Sequence, residues 1–482
     1  MSLDANGKTH DDLPLRQLAI LLTCRLVEPL AVNSIVPYLF SMVKHASPPR
    51  MTDGEVTQLV TLIFSAYSLA QFGTNIVWGR ISDRVGRRPV MLFGLTGVLI
   101  STLGFAFSTS VASMFVFRIA AGLLSGNVVI TRTMIGDMVH GRENKARAFA
   151  WNQTAYQVGI VVGPFIGGYL VEPCVQVPGL CRGGRFALLQ AYPFALPNLV
   201  IAGLLVVSLC VAYFHLAESL IPATKFHTSS DDETSPLIAH NHHESLPSLD
   251  ASASSQTSGS AVFSSKVVHV VLSYAFMALH SICFDQIFPV FLATSRVRDE
   301  DHTGSPFSHA LLHPKGGLGY SSTTVASFMS ASGLLSIVLM VSIFPPVDTF
   351  FGSLHCLRGS QMVYPAVYVL LPYLVLLPAS PTWVRLTGVA LICVLKTAAA
   401  VFSFNDNAIL LNVAAPSPQA LGLVNGLAQM AANGARALGP AVMGLFIRLG
   451  DHTGSNALGW WFLAVVGALG AFQGFWVTDD EE

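Results

Sequence analysis

Runs of about 20 apolar residues recur along nearly the whole of this 482-residue chain, and no other feature narrows its fold as much. A helix of that length crosses the roughly 30 Å of hydrocarbon in a bilayer. Only helices and closed barrels satisfy their backbone groups in lipid. Barrel strands need about 10 alternating residues, not long uniform runs. Composition agrees: 52% of the residues are hydrophobic and 11% are charged, against about 25% charged in soluble domains. Length alone suggests two or three soluble domains, and composition overrides it. The expected fold class is an all-α membrane protein.

Twelve transmembrane helices are expected, six on each side of a polar segment. The first six are 15–40, 56–78, 89–107, 111–135, 148–170 and 187–214. The second six are 266–294, 321–344, 361–377, 383–404, 420–447 and 457–477. Between them, 216–265 is rich in Ser, Asp, Glu and His and poor in aromatics, a composition that cannot bury enough surface to fold. The expected organisation is a cytosolic N-terminal tail (1–14), an N-terminal six-helix bundle (15–215), a disordered cytosolic linker (216–265), a C-terminal six-helix bundle (266–477) and an acidic cytosolic tail (478–482). There is no cleavable signal pattern, so the first apolar run is expected to stay as a helix. A net charge of −1, without basic runs interleaved with aromatics, gives no sign of nucleic-acid binding.

Lys and Arg in short loops set orientation. Arg80, Arg84, Arg87 and Arg88 fall in one loop, and Arg142, Lys145 and Arg147 in another. An even number of spans puts these loops, both termini and the linker on one side, expected to be cytoplasmic. The second half argues less clearly, because Arg296, Arg298 and Lys315 lie in a loop expected to face away. Cys174 and Cys181 share one short polar loop and are candidates for a disulfide if it faces outward. Spacing alone fixes no pairing.

Residues 79–88 read as a tight basic turn between two spans. Gly79 and Gly86 are expected to make the turn. Asp83 is expected to accept hydrogen bonds from a neighbouring helix N-terminus and from an arginine. With Arg84, Arg87 and Arg88 it forms a candidate conformational latch; simple anchoring by positive charge is the other reading. The two halves also echo each other. Gly163-Pro164, preceded by Gly159 and followed by Gly167 and Gly168, aligns with Gly439-Pro440, which is followed by Gly444. Small residues let helices approach closely, and matching spans in two halves characterise duplicated transporter folds.

The stretch Gly79-x-x-x-Asp83-Arg84-x-Gly86-Arg87-Arg88 resembles the loop between spans two and three of the major facilitator superfamily. Phe117-Arg118 through Gly122 resembles its span-four motif, and Gly159 through Gly168 the span-five motif of its proton-driven antiporters. Arg25-x-x-Glu28-Pro29, Pro37-Tyr38, His280, Asp285 through Phe288, Gly319 through Ser322 and Asn425 through Pro440 resemble the zinc-induced facilitator-like group and its fungal relatives. The resemblance implies two pseudo-symmetric six-helix halves around a central cavity, a small-molecule substrate, no cofactor and a monomeric unit. It also associates Arg118 with proton coupling and gives Arg436 a bracing role.

A charge at mid-bilayer costs at least ~2.5–3.5 kcal/mol, so each is a functional candidate. Arg25 and Glu28 share one face of the first span. They are either a mutual structural pair or a proton or substrate site. Arg118, His280, Asp285 and Lys396 are the other candidates for the cavity and for coupling. His280 precedes Asp285 by five positions and points elsewhere on a regular helix. Asn405, Asp406 and Asn407 are either gate residues or a polar helix end. In the linker, Glu233, Leu237 and Ile238 fit a dileucine pattern read by a sorting adaptor, pointing to a vacuolar or endosomal membrane, with the plasma membrane as the alternative. His227, His240, His242 and His243 have no rigid metal-ligand spacing, and no metal site is expected.

The function expected is secondary active transport: proton-coupled antiport, as export or vacuolar loading, of a small organic solute or metal chelate. A facilitated uniporter and a non-transporting metal sensor or receptor are the alternatives. No nucleophile-elbow, metalloprotease or P-loop pattern occurs, so an enzyme is not expected.

Overall fold

In a computed structural model of the chain, the residues described are 13–139, 142–179, 181, 186–219, 264–296, 314–378, 381–416, 421–455 and 457–478. The dileucine residues Glu233, Leu237 and Ile238, the linker histidines, Arg298 and the last four residues lie outside them. Twelve helical rods cross the described part of the molecule. The first six are α1 (Leu15–Asn33, resuming as Leu39–Ala46), α2 (Asp53–Val85), α3 (Arg87–Ala106), α4 (Val111–Leu124 with Asn127–Met138), α5 (Arg142–Leu170) and α6 (Ala195–His215). The second six are α7 (Ser265–Ala293), α8 (Ser322–Val338, a π-helical turn Leu339–Ile343, then Phe344–Phe351), α9 (Ser353–Leu370 and a 3-10 turn Leu371–Leu376), α10 (Thr382–Ala414), α11 (Leu421–Thr453) and α12 (Ala457–Gly474). Nine are long and apolar enough to cross a membrane by themselves. The others, α1, α5 and α11, carry buried charge or rows of small and polar residues.

Local chemistry sets where the rods start and break. Thr52 and Glu55 form a reciprocal capping box at the start of α2, with bonds of 3.2 and 3.1 Å. Ser321 and Ser264 accept from backbone amides at the starts of α8 and α7. Two breaks differ from the continuous spans expected. The first is at 34–38, after Pro29. The second is at Ser125-Gly126, where Trp78 donates its indole N–H to the freed Leu123 carbonyl at 2.7 Å. Gly126 is needed there, because a Cβ would come within 2.6 Å of the Trp78 ring.

Each six-helix half has its own apolar core, one centred on Leu21, Met91 and Leu95, the other on Tyr368, Leu371 and Trp460. A third cluster joins the halves at the end away from the chain termini, the far end, where Val290 of α7 packs with Ile35, Val60 and Phe64. Contacts between halves gather there. Tyr169 and Ser327 share a 2.9 Å hydrogen bond, Ser330 donates to the Val161 carbonyl at 3.0 Å, and Arg448 donates to Gln58 at 2.9 Å. Gly444 of α11 lies directly against Thr61 of α2. Toward the termini, Gly73, Gly136, Gly426 and Gly434 have no atom within 4 Å of where a Cβ would stand. With the contacts between halves gathered at the far end, these open positions point to a cleft between the halves at the termini-facing end. Cys174 and Cys181, in the far-end connection between α5 and α6, are disulfide-bonded.

Candidate functional site

Arg25 and Glu28 lie one turn apart on α1, and both are buried. The nearest approach of guanidinium to carboxylate is 3.7 Å, too long for a hydrogen bond. Glu28 is held by other residues. Its Oε1 accepts from Ser125 Oγ at 2.6 Å and from Gln71 Nε2 at 2.9 Å, and Gln71 also reaches Ser125 at 3.0 Å. The break in α4 brings Ser125 into this position. Oε2 meets no hydrogen-bond donor. Glu28 is therefore half satisfied, with Oε1 fixed by two donors and Oε2 facing only the Arg25 guanidinium.

Arg118, on α4, is also buried. Its guanidinium lies 4.6 Å from the Tyr67 ring centroid and 5.9 Å from that of Phe105, a cation–π arrangement. Its Nε and Nη2 meet no acceptor. Tyr67 connects it to the carboxylate by a long 3.5 Å contact with Ser125. On the cleft side, Arg25 stacks over Tyr156 of α5 at 4.6 Å. Arg436 of α11 lies within electrostatic reach of the same tyrosine from the other half. Exposed Arg132 of α4 lies within electrostatic reach of Arg25, Arg436 and Tyr274. Three arginines thus gather around Tyr156, one of them beside Glu28.

In the second half, Lys396 of α10 forms a close ion pair with Asp285 of α7. The lysine side chain is enclosed and lies over the Phe284 ring at 4.9 Å, whereas Asp285 is 58% exposed. His280 does not join them. It is buried among aromatics, bonded through Nδ1 to Tyr368 at 2.9 Å, with Tyr364 4.3 Å away between ring centroids.

The basic turn is built differently from its expected form. α2 continues to Val85, so Gly79 sits two turns inside a helix with only Val129 near it, at 3.9 Å. Gly86 alone makes the turn, with φ at +113°. Asp83 takes an arginine, Arg87, at 2.9 Å, but does not cap the N-terminus of α3. Glu218, just after α6, does so by accepting from the amides of Arg87 and Arg88 at 2.9 and 3.1 Å. Arg87 also pairs with Asp137 of α4 at 2.7 Å, and Arg88 donates to the Tyr213 carbonyl. Arg84 is exposed.

The α5 glycines are contact points for α1. A Cβ on Gly159 would strike Pro29, one on Gly163 would crowd Asn33, and one on Gly167 would overlap the Ser34 carbonyl. Pro164 follows within the helix. In α11, Gly439 faces Cys283 and Leu279 of α7, ahead of Pro440. The fifth rod of each half therefore packs by glycine on the first rod of its own half.

Gln71, Ser125, Tyr156, Arg132 and Glu218 had not been singled out from sequence. The first four are polar or charged residues inside apolar spans, which is the one signal they carry. Among the described residues, no group of three or more His, Cys, Asp or Glu is placed to hold a metal.

The family model described as Major Facilitator Superfamily matches residues 21–440. The chain is 32% identical to the major facilitator superfamily multidrug transporter mfsB of Aspergillus fumigatus, over 97% of this chain and 84% of that protein. It is 24% identical to the protein zinc induced facilitator-like 1 of Arabidopsis thaliana, over 92% and 86%. Among solved structures, a D-xylose–proton symporter aligns with a TM-score of 0.66 at 13% identity, over 97% of this chain and 99% of that one.

Proposed function

This chain belongs to the major facilitator superfamily, and on that premise we propose that it exchanges protons for a small organic solute bearing an acidic group. The half-satisfied Glu28 carboxylate carries the reading. Its free oxygen can take a proton without breaking the bonds from Ser125 and Gln71. Protonation would remove the charge facing Arg25 and leave that guanidinium for the solute. Arg25, Arg132 and Arg436 favour an anionic group over a cationic one. Asp285 and Lys396 supply a second pair in the opposite half that solute or proton can part.

Transport would follow by rocking of the halves, with the far-end contacts opening as the cleft closes. The arginine-rich turn supports a cytosolic cleft mouth, and the far-end disulfide fits an oxidising lumen or exterior. The turn around Gly86 is then a cytosolic latch, set by Asp83, Arg87, Asp137 and Glu218. Asp83→Asn should slow switching more than it weakens binding.

The test is a flux assay in liposomes with an imposed proton gradient and a panel of labelled organic acids, zwitterions and cations. Gradient-driven accumulation of an acid, lost in Glu28→Gln, is expected. Flux that ignores the gradient and survives Glu28→Gln would make the protein a uniporter.

A further inference from the structure

The two halves turn a corner in the same way, but fill it with different chemistry. Gly86 joins α2 to α3 with φ +113° and ψ 153°, and Gly352 joins α8 to α9 with φ +79° and ψ 147°. In the first half the residue after the glycine is Arg87. Its guanidinium stands between Asp83 on α2 and Asp137 on α4, at 2.9 and 2.7 Å. In the second half the residue after the glycine is Ser353. The acids there are Asp348 on α8 and Asp406 on α10, with no arginine between them.

Asp406 is fully buried, and neither carboxylate oxygen meets a hydrogen-bond donor. What faces it is Asp348, another acceptor, within hydrogen-bonding reach. The Ser353 hydroxyl already donates to Asp348 Oδ1 at 2.7 Å. The other ionisable groups nearby supply no countercharge. On α9, Cys356 lies close to both acids, His355 is exposed, and Arg358 donates to the carbonyls of Phe475 and Val477. On α10, Lys396 is held by Asp285. On α7, Tyr274 packs edge-on to Phe404. Asn407 directs its amide to the Ser403 carbonyl and the Met277 sulfur.

Two carboxylates facing each other in such a setting do not both ionise; one keeps a proton and donates it to the other. We propose that Asp348 and Asp406 form a proton-binding carboxyl pair at the termini-facing end of the second half. One proton adds to two carboxylates to give one carboxylic acid hydrogen-bonded to one carboxylate. A metal cation fits less well, because hard cations take six or more oxygens, and Ser353 offers its proton to the pair. Losing the proton leaves two like charges across the α8–α10 contact and loosens that corner. The first-half corner, fixed by arginine, has no such response. The pair is separate from Glu28 and from Asp285, and its proton is bound whether or not the Glu28 reading of transport holds.

The test uses the full-length protein in lipid nanodiscs, without substrate. Infrared difference spectra against pH should contain a protonated-carboxyl C=O band that Asp406→Asn and Asp348→Asn each remove, because either change puts an amide donor opposite the one carboxylate that remains. Ser353→Arg, which restores the first-half arrangement, should remove it too, and keeps the test open if an Asn variant does not fold. The wild-type melting temperature should fall as pH rises through the neutral range, and the fall should flatten in Ser353→Arg. A band unchanged in all three variants overturns the proposal. A band lost only in Asp406→Asn means a lone protonated acid and overturns the pair. Stabilisation by sodium, potassium or magnesium chloride over choline chloride, lost in Asp406→Asn, means a metal-cation site and overturns the proton.

Discussion

On α1 both members of the charge pair are enclosed, with side chains 5% and 10% exposed, whereas between α7 and α10 only the lysine is enclosed and its acid is 58% exposed. The first pair is a fixed element of the bundle, surrounded by Gln71, Ser125 and Tyr156. The second is a pair with one foot in the cleft. The glycines follow the same division. In α5, Gly159, Gly163 and Gly167 are all pressed against α1, while in α11 Gly439 is pressed against α7 and Gly426 and Gly434 face open space. The first half is built to hold its shape around the carboxylate, and the second keeps more of its polar surface at the cleft.

Breaking the enclosed pair should have the largest effect. Arg25→Met strands Glu28 and should cost about 3–5 kcal/mol of stability, with part recovered when Glu28→Gln is added. Thermal melts in detergent measure it, and equal losses in Arg25→Met and Lys396→Met would erase the contrast between the pairs. Next comes Gly167→Ala, whose Cβ overlaps the Ser34 carbonyl and should cost about 1–3 kcal/mol through overpacking. By contrast, Gly434→Ala on α11 enters open space in a helix and should stabilise by about 0.5–1 kcal/mol. At the corner, Gly86→Ala meets both a left-handed backbone and the Glu218 carboxylate, and should cost on the order of 1–3 kcal/mol. Gly79→Ala should cost nothing, and a loss there would restore Gly79 to the turn. Of the two charge-pair substitutions Lys396→Met has the smaller effect, at under about 1 kcal/mol, because Asp285 remains exposed.

The rods were legible because lipid demands apolar length, and the glycine echo was legible because close helix contact demands small residues at fixed spacing. The breaks at 34–38 and Ser125-Gly126 were not, since unwinding inside a span depends on what a neighbour such as Trp78 supplies. Arg25 and Glu28 met in the reading because they are one turn apart. Lys396 and Asp285 are 111 positions apart, and no local period joins them. His280, five positions before Asp285, points elsewhere on α7, and only the structure shows the aromatic shell of Tyr364 and Tyr368 that encloses it. Glu218 sits at the edge of a polar stretch, where nothing in the sequence ties it to a helix start 131 positions earlier.

The far-end seal has a consequence for turnover. Beside the apolar cluster around Val290, its surface is Thr61, Gly168, Ala326, Ser327, Ser330 and Gly444, while the charges Lys44, Asp53, Glu55 and Arg448 stand at its rim. When such a surface parts, water replaces each hydroxyl contact, at a net change of only about 0.5–1.5 kcal/mol per bond. No desolvated charge has to be stranded on the way. On the proposed rocking mechanism the two arrangements need to be close in free energy, and the small residues and hydroxyls of this seal limit how deep the sealed minimum becomes.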